Sequence, residues 1–151
     1  MEHISNEDRL FFSLMKEPEI QKILIVCHGN TCRSIIAEAI LLKNKPKYEI
    51  YSVGTKAKGE EISKNTKKVL FENNLYSTKK YAEHIDKIKN IRFNRVLILD
   101  DDIEINQNIK RNFTHKRMVQ DPYGKELEVY RKVFQEIKEI LENIPNMSWK
   151  F

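Results

Sequence analysis

Lys22-Ile23-Leu24-Ile25-Val26-Cys27-His28-Gly29-Asn30-Thr31-Cys32-Arg33-Ser34 is the stretch that decides how this chain is read. The run from Lys22 to Val26 is short, apolar and β-branched, which predicts a buried strand. After the loop, Ile35, Ile36, Ala37, Ala39, Ile40 and Leu41 recur at helical spacing with Glu38 and Lys43 between them, predicting a helix over about 33–44. The residues between therefore join a strand end to a helix start. Backbone N–H groups lack intrahelical partners there, and the helix dipole favours an anion.

The side chains in the loop suit that anion. Gly29 is expected to take a positive φ that curls the loop so that its N–H groups point inward. Asn30 tolerates left-handed geometry and ties the loop to its neighbours. Arg33 offers a planar fork matched to two phosphoryl oxygens. Cys27 begins the loop, beneath the place of a bound phosphorus, and the N–H donors, helix N-terminus and Arg33 are expected to lower its pKa toward a thiolate. Ser34 is placed to donate a hydrogen bond to that sulfur, His28 lies on the loop's rim, and Thr31 is expected near the pocket wall. A thiolate under a cradled phosphate is a nucleophile poised for in-line attack.

Composition narrows the class. The 151 residues suit one domain, and 40% hydrophobic content argues against global disorder. Two cysteines, five apart in one loop beside an arginine, fit a reducing cytosol and form no disulfide framework or zinc-ligand set. No apolar run approaches the roughly 20 residues that cross a membrane. The acidic start Met1-Glu2-His3-Ile4-Ser5-Asn6-Glu7-Asp8 lacks a signal peptide's basic region. A net charge of +5 suits phosphate or acidic partners, and no aromatic-basic module or zinc finger points to nucleic acid. The expectation is a cytoplasmic monomer without membrane or nucleic-acid partners.

Along the chain, residues 1–21 read as an N-terminal extension and 22–151 as the domain. Within the extension, Leu10, Phe11, Phe12, Leu14 and Met15 suggest one or two helical turns ended near Pro18. Lys45-Pro46-Lys47 breaks the chain before an alternating strand over 48–53. A helix over about 63–73 has Ser63 as its N-cap and buries Val69 and Leu70. Arg95-Val96-Leu97-Ile98-Leu99 reads as a buried strand. Asp100-Asp101-Asp102 after it reads as helix capping or solvated charge, with no further ligands for a metal. A short helix over about 103–111, a small strand over 116–119, Asp121-Pro122-Tyr123 and an amphipathic helix over 126–143 complete the domain, and Trp149 and Phe151 end the chain. The alternation predicts an α/β three-layer domain with a four-stranded parallel sheet, its phosphate-binding loop after the first strand at the topological switch point.

Cys27-x-Gly29-Asn30-x-Cys32-Arg33-Ser34 resembles the signature of the low molecular weight protein tyrosine phosphatase family at every fixed position. Asp121-Pro122-Tyr123 resembles that family's second motif. The resemblance implies that Cys27 attacks phosphorus while Arg33 and the loop amides hold the oxygens. Asp121 would protonate the leaving group and then activate water, with no metal or organic cofactor. It further implies that Ser52, in Ser52-Val53-Gly54-Thr55, supports the loop through Asn30, and that Tyr123 walls the pocket. The chain departs from the family at His28, at Ile35, at the basic rim Lys56-Ala57-Lys58-Gly59, and at Gly124. An ungapped reading places Lys80 and Glu83 where the family has histidine and arginine. Cys32 either forms a reversible disulfide with Cys27 or merely packs.

The implied substrate is a phosphorylated protein, with phosphotyrosine first. Thr31 and Gly124 resemble the phosphoarginine branch of the family, whereas Tyr123 and the basic rim at Lys56 and Lys58 favour phosphotyrosine. Two other readings stand beside these. An arsenate reductase would relay oxidation through further cysteines, which the chain lacks after Cys32. A phosphate-binding module without turnover is the other.

Overall fold

The structure is a computed structural model that describes residues 5–7, 20–44, 47–88 and 90–144. The expected helical turns at Leu10–Met15, the break at Pro46 and the chain end at Trp149 and Phe151 lie outside the described residues.

A parallel sheet runs in the order β2-β1-β3-β4. Its strands are β1 (Lys22–Cys27), β2 (Glu49–Gly54), β3 (Phe93–Ile98) and β4 (Arg111–Lys116). β1 pairs with β2 from Lys22↔Glu49 to Cys27↔Gly54 and with β3 from Ile23↔Arg95 to Val26↔Ile98. Flanked on both sides, β1 is apolar throughout its buried length, as a strand covered on both faces must be. The chain leaves it for β2 on one side and reaches β3 on the other. The carboxyl end of β1 is therefore the switch point where α/β sheets hold ligands.

One face of the sheet carries the helices α1 (Arg33–Asn44), α2 (Lys64–Glu72) and α3 (Leu127–Glu142). α1 is buried from Arg33 to Leu41, lodged between sheet and neighbouring helices. Ile25, Ile36, Ile40, Leu70, Val133 and Ile137 form the heart of this core. Ser63 caps α2 as expected, its side chain accepting the Thr66 N–H.

The other face is covered by a 3-10 turn (Ile85–Lys87) and by loops, not by the expected helix over 103–111. The asparagines there explain the difference. Asn106 accepts the Asn108 N–H with its side chain and the Ile109 N–H with its carbonyl, a local turn that competes with helix. The fourth strand also lies earlier than expected, at Arg111–Lys116. It is a polar edge strand, so hydrophobicity does not mark it. Val119, which drew the sequence reading, is buried just beyond it. Among the described residues, no helix is long and apolar enough to cross a membrane.

Candidate active site

Cys27 closes β1 and is 2% exposed. Its Sγ accepts the Asn30 N–H at 3.3 Å and lies 2.9 Å from Ser34 Oγ. The left-handed residue of the loop is Asn30, with φ 54°, and not Gly29 as the sequence reading expected. Asparagine tolerates this conformation when its side chain finds local partners. Here Nδ2 donates to Ser34 Oγ at 2.7 Å and to Ser52 Oγ at 3.1 Å, while Oδ1 accepts the Glu83 N–H at 2.8 Å. Glycine is demanded instead at Gly54, the end of β2. A Cβ there would stand 2.4 Å from the His28 carbonyl oxygen and 2.8 Å from the Asn30 nitrogen. That close approach lets Thr55 and Lys56 donate their N–H groups to the Cys27 and His28 carbonyls.

Arg33 opens α1 and is 1% exposed. Its Nη1 donates to Asp100 Oδ2 at 2.8 Å, Val119 O at 2.9 Å and Leu99 O at 3.1 Å, and its Nη2 lies 3.7 Å from Asp121 Oδ2. The guanidinium is thus fixed from the side away from the pocket. Asp100 is accordingly neither a helix cap nor solvated charge. Burial would raise its pKa, but the hydrogen bond from Arg33, with those from Asp102 and the Arg33 charge, brings it down to about 2. Asp101 and Asp102 are exposed, as the charge-run reading expected. His28 sits on the rim with Nε2 2.8 Å from Asp102 Oδ1 and 3.4 Å from Asp100 Oδ2.

Burial pushes the Cys27 thiol above the ordinary cysteine range. The Ser34 hydroxyl, the Arg33 charge and the backbone N–H groups of Ser34 and Asn30 pull the other way. The sequence reading weighed only the groups that lower this pKa. The strand end that makes the loop rigid also dries it, and drying disfavours a thiolate.

The loop floors a cavity of about 160 Å³ whose walls include Thr31, Lys56, Glu60, Asp121 and Tyr123. Thr31 is 4% exposed, and Tyr123 is 62% exposed at the mouth. Asp121 Oδ1 accepts the Tyr123 N–H at 3.1 Å, and Lys125 N–H closes the turn on Pro122 O at 2.9 Å. Gly124 takes φ 76° in this turn, a conformation a tyrosine would strain to adopt. Cys32 is a free thiol, as is Cys27. Its sulfur lies 3.4 Å from Tyr130 Oη and 3.6 Å from Ser63 Oγ, packed toward α2 and α3.

Ser52 lies beneath the loop, as the sequence reading placed it, and a cation that the reading missed lies beside it. Lys79 Nζ donates to Ser52 O at 2.6 Å and Ser52 Oγ at 3.0 Å, and meets Glu83 Oε1 at 3.3 Å. Lys80, which the ungapped reading put here, is exposed. The irregular segment between α2 and the 3-10 turn offers no periodicity from which to fix that register.

A family model described as low molecular weight phosphotyrosine protein phosphatase matches residues 22–147. The chain belongs to that family. It is a phosphatase hydrolase of the low molecular weight type. A protein-arginine-phosphatase of Geobacillus stearothermophilus is 34% identical over 138 residues, covering 82% of this chain and 93% of that protein. A low molecular weight protein-tyrosine-phosphatase of Staphylococcus epidermidis is 27% identical over 137 residues, covering 82% and 96%. In fold, this low molecular weight phosphatase is also similar to an arsenate reductase of Archaeoglobus fulgidus. The TM-score is 0.69 at 23% identity, over 79% of this chain and 94% of that one.

Among the described residues, His28, Asp100 and Asp102 bring one ligand-type atom each within 4.8 Å of one another. In this phosphatase the Asp100 oxygen facing His28 also holds Arg33 at 2.8 Å, and a guanidinium so close opposes a divalent cation.

Proposed function

We propose that this phosphatase hydrolyses phosphoarginine in proteins through a cysteinyl-phosphate, with Cys27 as nucleophile, Arg33 and the loop amides as oxyanion holders and Asp121 as general acid and then base. The observation that carries the mechanism is the convergence of Cys27 Sγ, the Arg33 guanidinium and Asp121 on one cavity. The Cys27 thiol attacks as its thiolate, held against burial by Ser34, Arg33, the loop N–H groups and the N-terminus of α1. The P–N or P–O bond to the leaving group breaks as the S–P bond forms, and Asp121 gives the leaving atom its proton. A water deprotonated by Asp121 then attacks phosphorus, releasing phosphate and restoring the thiolate.

The substrate rests on Thr31. This small polar side chain occupies the wall where a phenol ring would favour a larger apolar neighbour, and the carboxylate of Glu60 faces the same cavity as an acceptor for guanidinium N–H groups. The arginine-phosphatase relative is also more alike than the tyrosine-phosphatase one over a similar span. Phosphotyrosine is the second reading, favoured by Tyr123 at the mouth and Lys56 on the rim. The arsenate likeness is one of fold, and the chain has no cysteine after Cys32 to relay oxidation. Turnover of phosphoarginine and phosphotyrosine peptides of matched sequence tests the substrate. A higher kcat/KM for phosphoarginine supports the proposal, and a higher one for phosphotyrosine replaces it with the second reading.

A further inference from the structure

β4 has β3 on one side and no strand beyond it among the described residues. Its pairing stays in step from Phe93↔Arg111 to Ile98↔Lys116, with no bulge and no proline to spoil the outer edge. Asn112, Phe113 and Thr114 at its middle are exposed, which leaves that edge open. An open edge offers main-chain N–H and C=O groups at the spacing of another strand. The charges around it are of one sign. Lys110 and Arg117 flank the strand, are exposed and meet no carboxylate among the described residues. Arg111 donates to the carbonyls of Asn106 and Ile109 and to Thr114 Oγ1, and Arg92 donates to Asn112 Oδ1, so neither charge is neutralised. Arg95 lies 5.1 Å from the centroid of the Phe113 ring and donates to His115 Nε2 at 2.8 Å. Burial, with the Arg95 and Arg117 charges, lowers the His115 pKa and keeps its ring a neutral acceptor. Lys116 is the member of this group that has a carboxylate, Glu104 at 2.8 Å.

We propose that the outer edge of β4 docks an acidic, extended segment of the protein substrate as a fifth strand of the sheet. β4 runs from Arg111 toward Lys116, and the chain continues through Val119 to Asp121 at the catalytic cavity. A segment seated on this edge therefore leads toward the pocket mouth at Tyr123. The inference deepens the reading of this chain as a protein phosphatase and rests on it.

Main-chain hydrogen bonds to an open edge accept almost any sequence, so charge has to supply the selection. A second copy of this chain would bring the same arginines and lysines to the edge, and like charges placed side by side are destabilising. An acidic strand is drawn to it instead. Alternate side chains of an added strand point to opposite faces of the sheet. Carboxylates on one face find Arg111, and those on the other find Arg92 beside Asn112. Phe113, 54% exposed, offers apolar area between them. Single-stranded nucleic acid also seeks cations, but it leaves the main-chain groups of an edge unused and asks for aromatic faces on which to stack. Arg95 already occupies one face of Phe113.

The test is the binding of short labelled peptides to the full chain, followed by fluorescence anisotropy at low and high salt. A peptide alternating glutamate with valine should bind about tenfold or more tightly than its glutamine counterpart, and the margin should shrink as salt screens the charges. The glutamate peptide with a central proline keeps its charge but cannot complete the ladder, and should bind about tenfold more weakly. Lys110→Glu with Arg117→Glu should abolish the preference for glutamate while p-nitrophenyl phosphate hydrolysis stays within about twofold. Lys110→Gln with Arg117→Gln serves if the charge-reversed protein fails to fold. Joined to a phosphorylated residue, the glutamate segment should lower KM about tenfold at unchanged kcat. Equal binding of the glutamate and glutamine peptides overturns the proposal. Equal binding of the proline peptide does so too, because it reduces the edge to a diffuse charge. Tighter binding of a single-stranded RNA oligomer at the same residues, or an unmoved KM, also overturns it. If neither phosphoarginine nor phosphotyrosine peptides are turned over, the activity reading has failed, while peptide binding still decides the edge.

Discussion

Arg33 Nη1 stands 2.8 Å from Asp100 Oδ2, joining the first residue of α1 to the loop that leaves β3. The bond fixes a guanidinium that is also held by the carbonyls of Leu99 and Val119, so its remaining edge is presented to the pocket already oriented. Orientation completed before the ligand arrives is worth more than charge alone.

Asp100→Asn should therefore lower kcat/KM by roughly 10- to 100-fold and weaken inhibition by vanadate, while Asp101→Asn leaves both within about twofold. The same bond predicts an acid signature. The native pKa of Asp100, about 2, is below the ordinary 3.8, so between these values the unfolded chain binds more protons and stability rises with pH. The contribution, roughly 2 kcal/mol, is complete above pH about 4 and is lost as pH falls toward about 2. Chemical unfolding across that window should show a smaller fall for Asp100→Asn than for the natural chain. Superposable curves would remove the electrostatic role.

Why Asp100 escaped the sequence reading is instructive. A strand announces itself through its own composition, and the apolar runs at Ile23–Val26 and Val96–Leu99 were legible for that reason. The loop at 27–34 was legible because strand and helix on its two sides fixed what the backbone must do. Asp100 has meaning only through Arg33, which is distant in sequence and adjacent only once β1 and β3 pair. Lys79 is hidden in the same way, since its partner Ser52 lies on β2, distant in sequence. Asn30 rather than Gly29 takes the left-handed conformation because Ser34, Ser52 and Glu83 all reach its side chain. The polar edge strand β4 and the asparagine turns before it carry little hydrophobic pattern, so their boundaries could not be read from periodicity.

Acid catalysis is tested by leaving group. Asp121→Ala should lower kcat by roughly 10²–10⁴ for a substrate whose leaving atom needs a proton, and by less for p-nitrophenyl phosphate, whose phenolate leaves readily. Asp121 also accepts the Tyr123 N–H, so a purely structural role predicts equal losses for both substrates.

Substrate choice is tested at Thr31. Thr31→Ile should raise the ratio of phosphotyrosine to phosphoarginine turnover about tenfold or more, because a single apolar interaction between substrate and pocket wall is worth about 1–3 kcal/mol. The residue is buried in the pocket wall, and an unchanged ratio would mean that this wall does not discriminate.

The central claim is that Cys27 carries the phosphoryl group, and acid quenching during turnover followed by mass spectrometry of the Cys27 and Cys32 peptides tests it most directly. The phosphoryl mass should appear on Cys27 and persist longer in Asp121→Ala, which lacks the base for the second step. Cys27→Ser should abolish hydrolysis while still binding vanadate, and Cys32→Ser should keep substantial activity. A phosphorylated Cys32, or a fully active Cys27→Ser protein, would contradict the account.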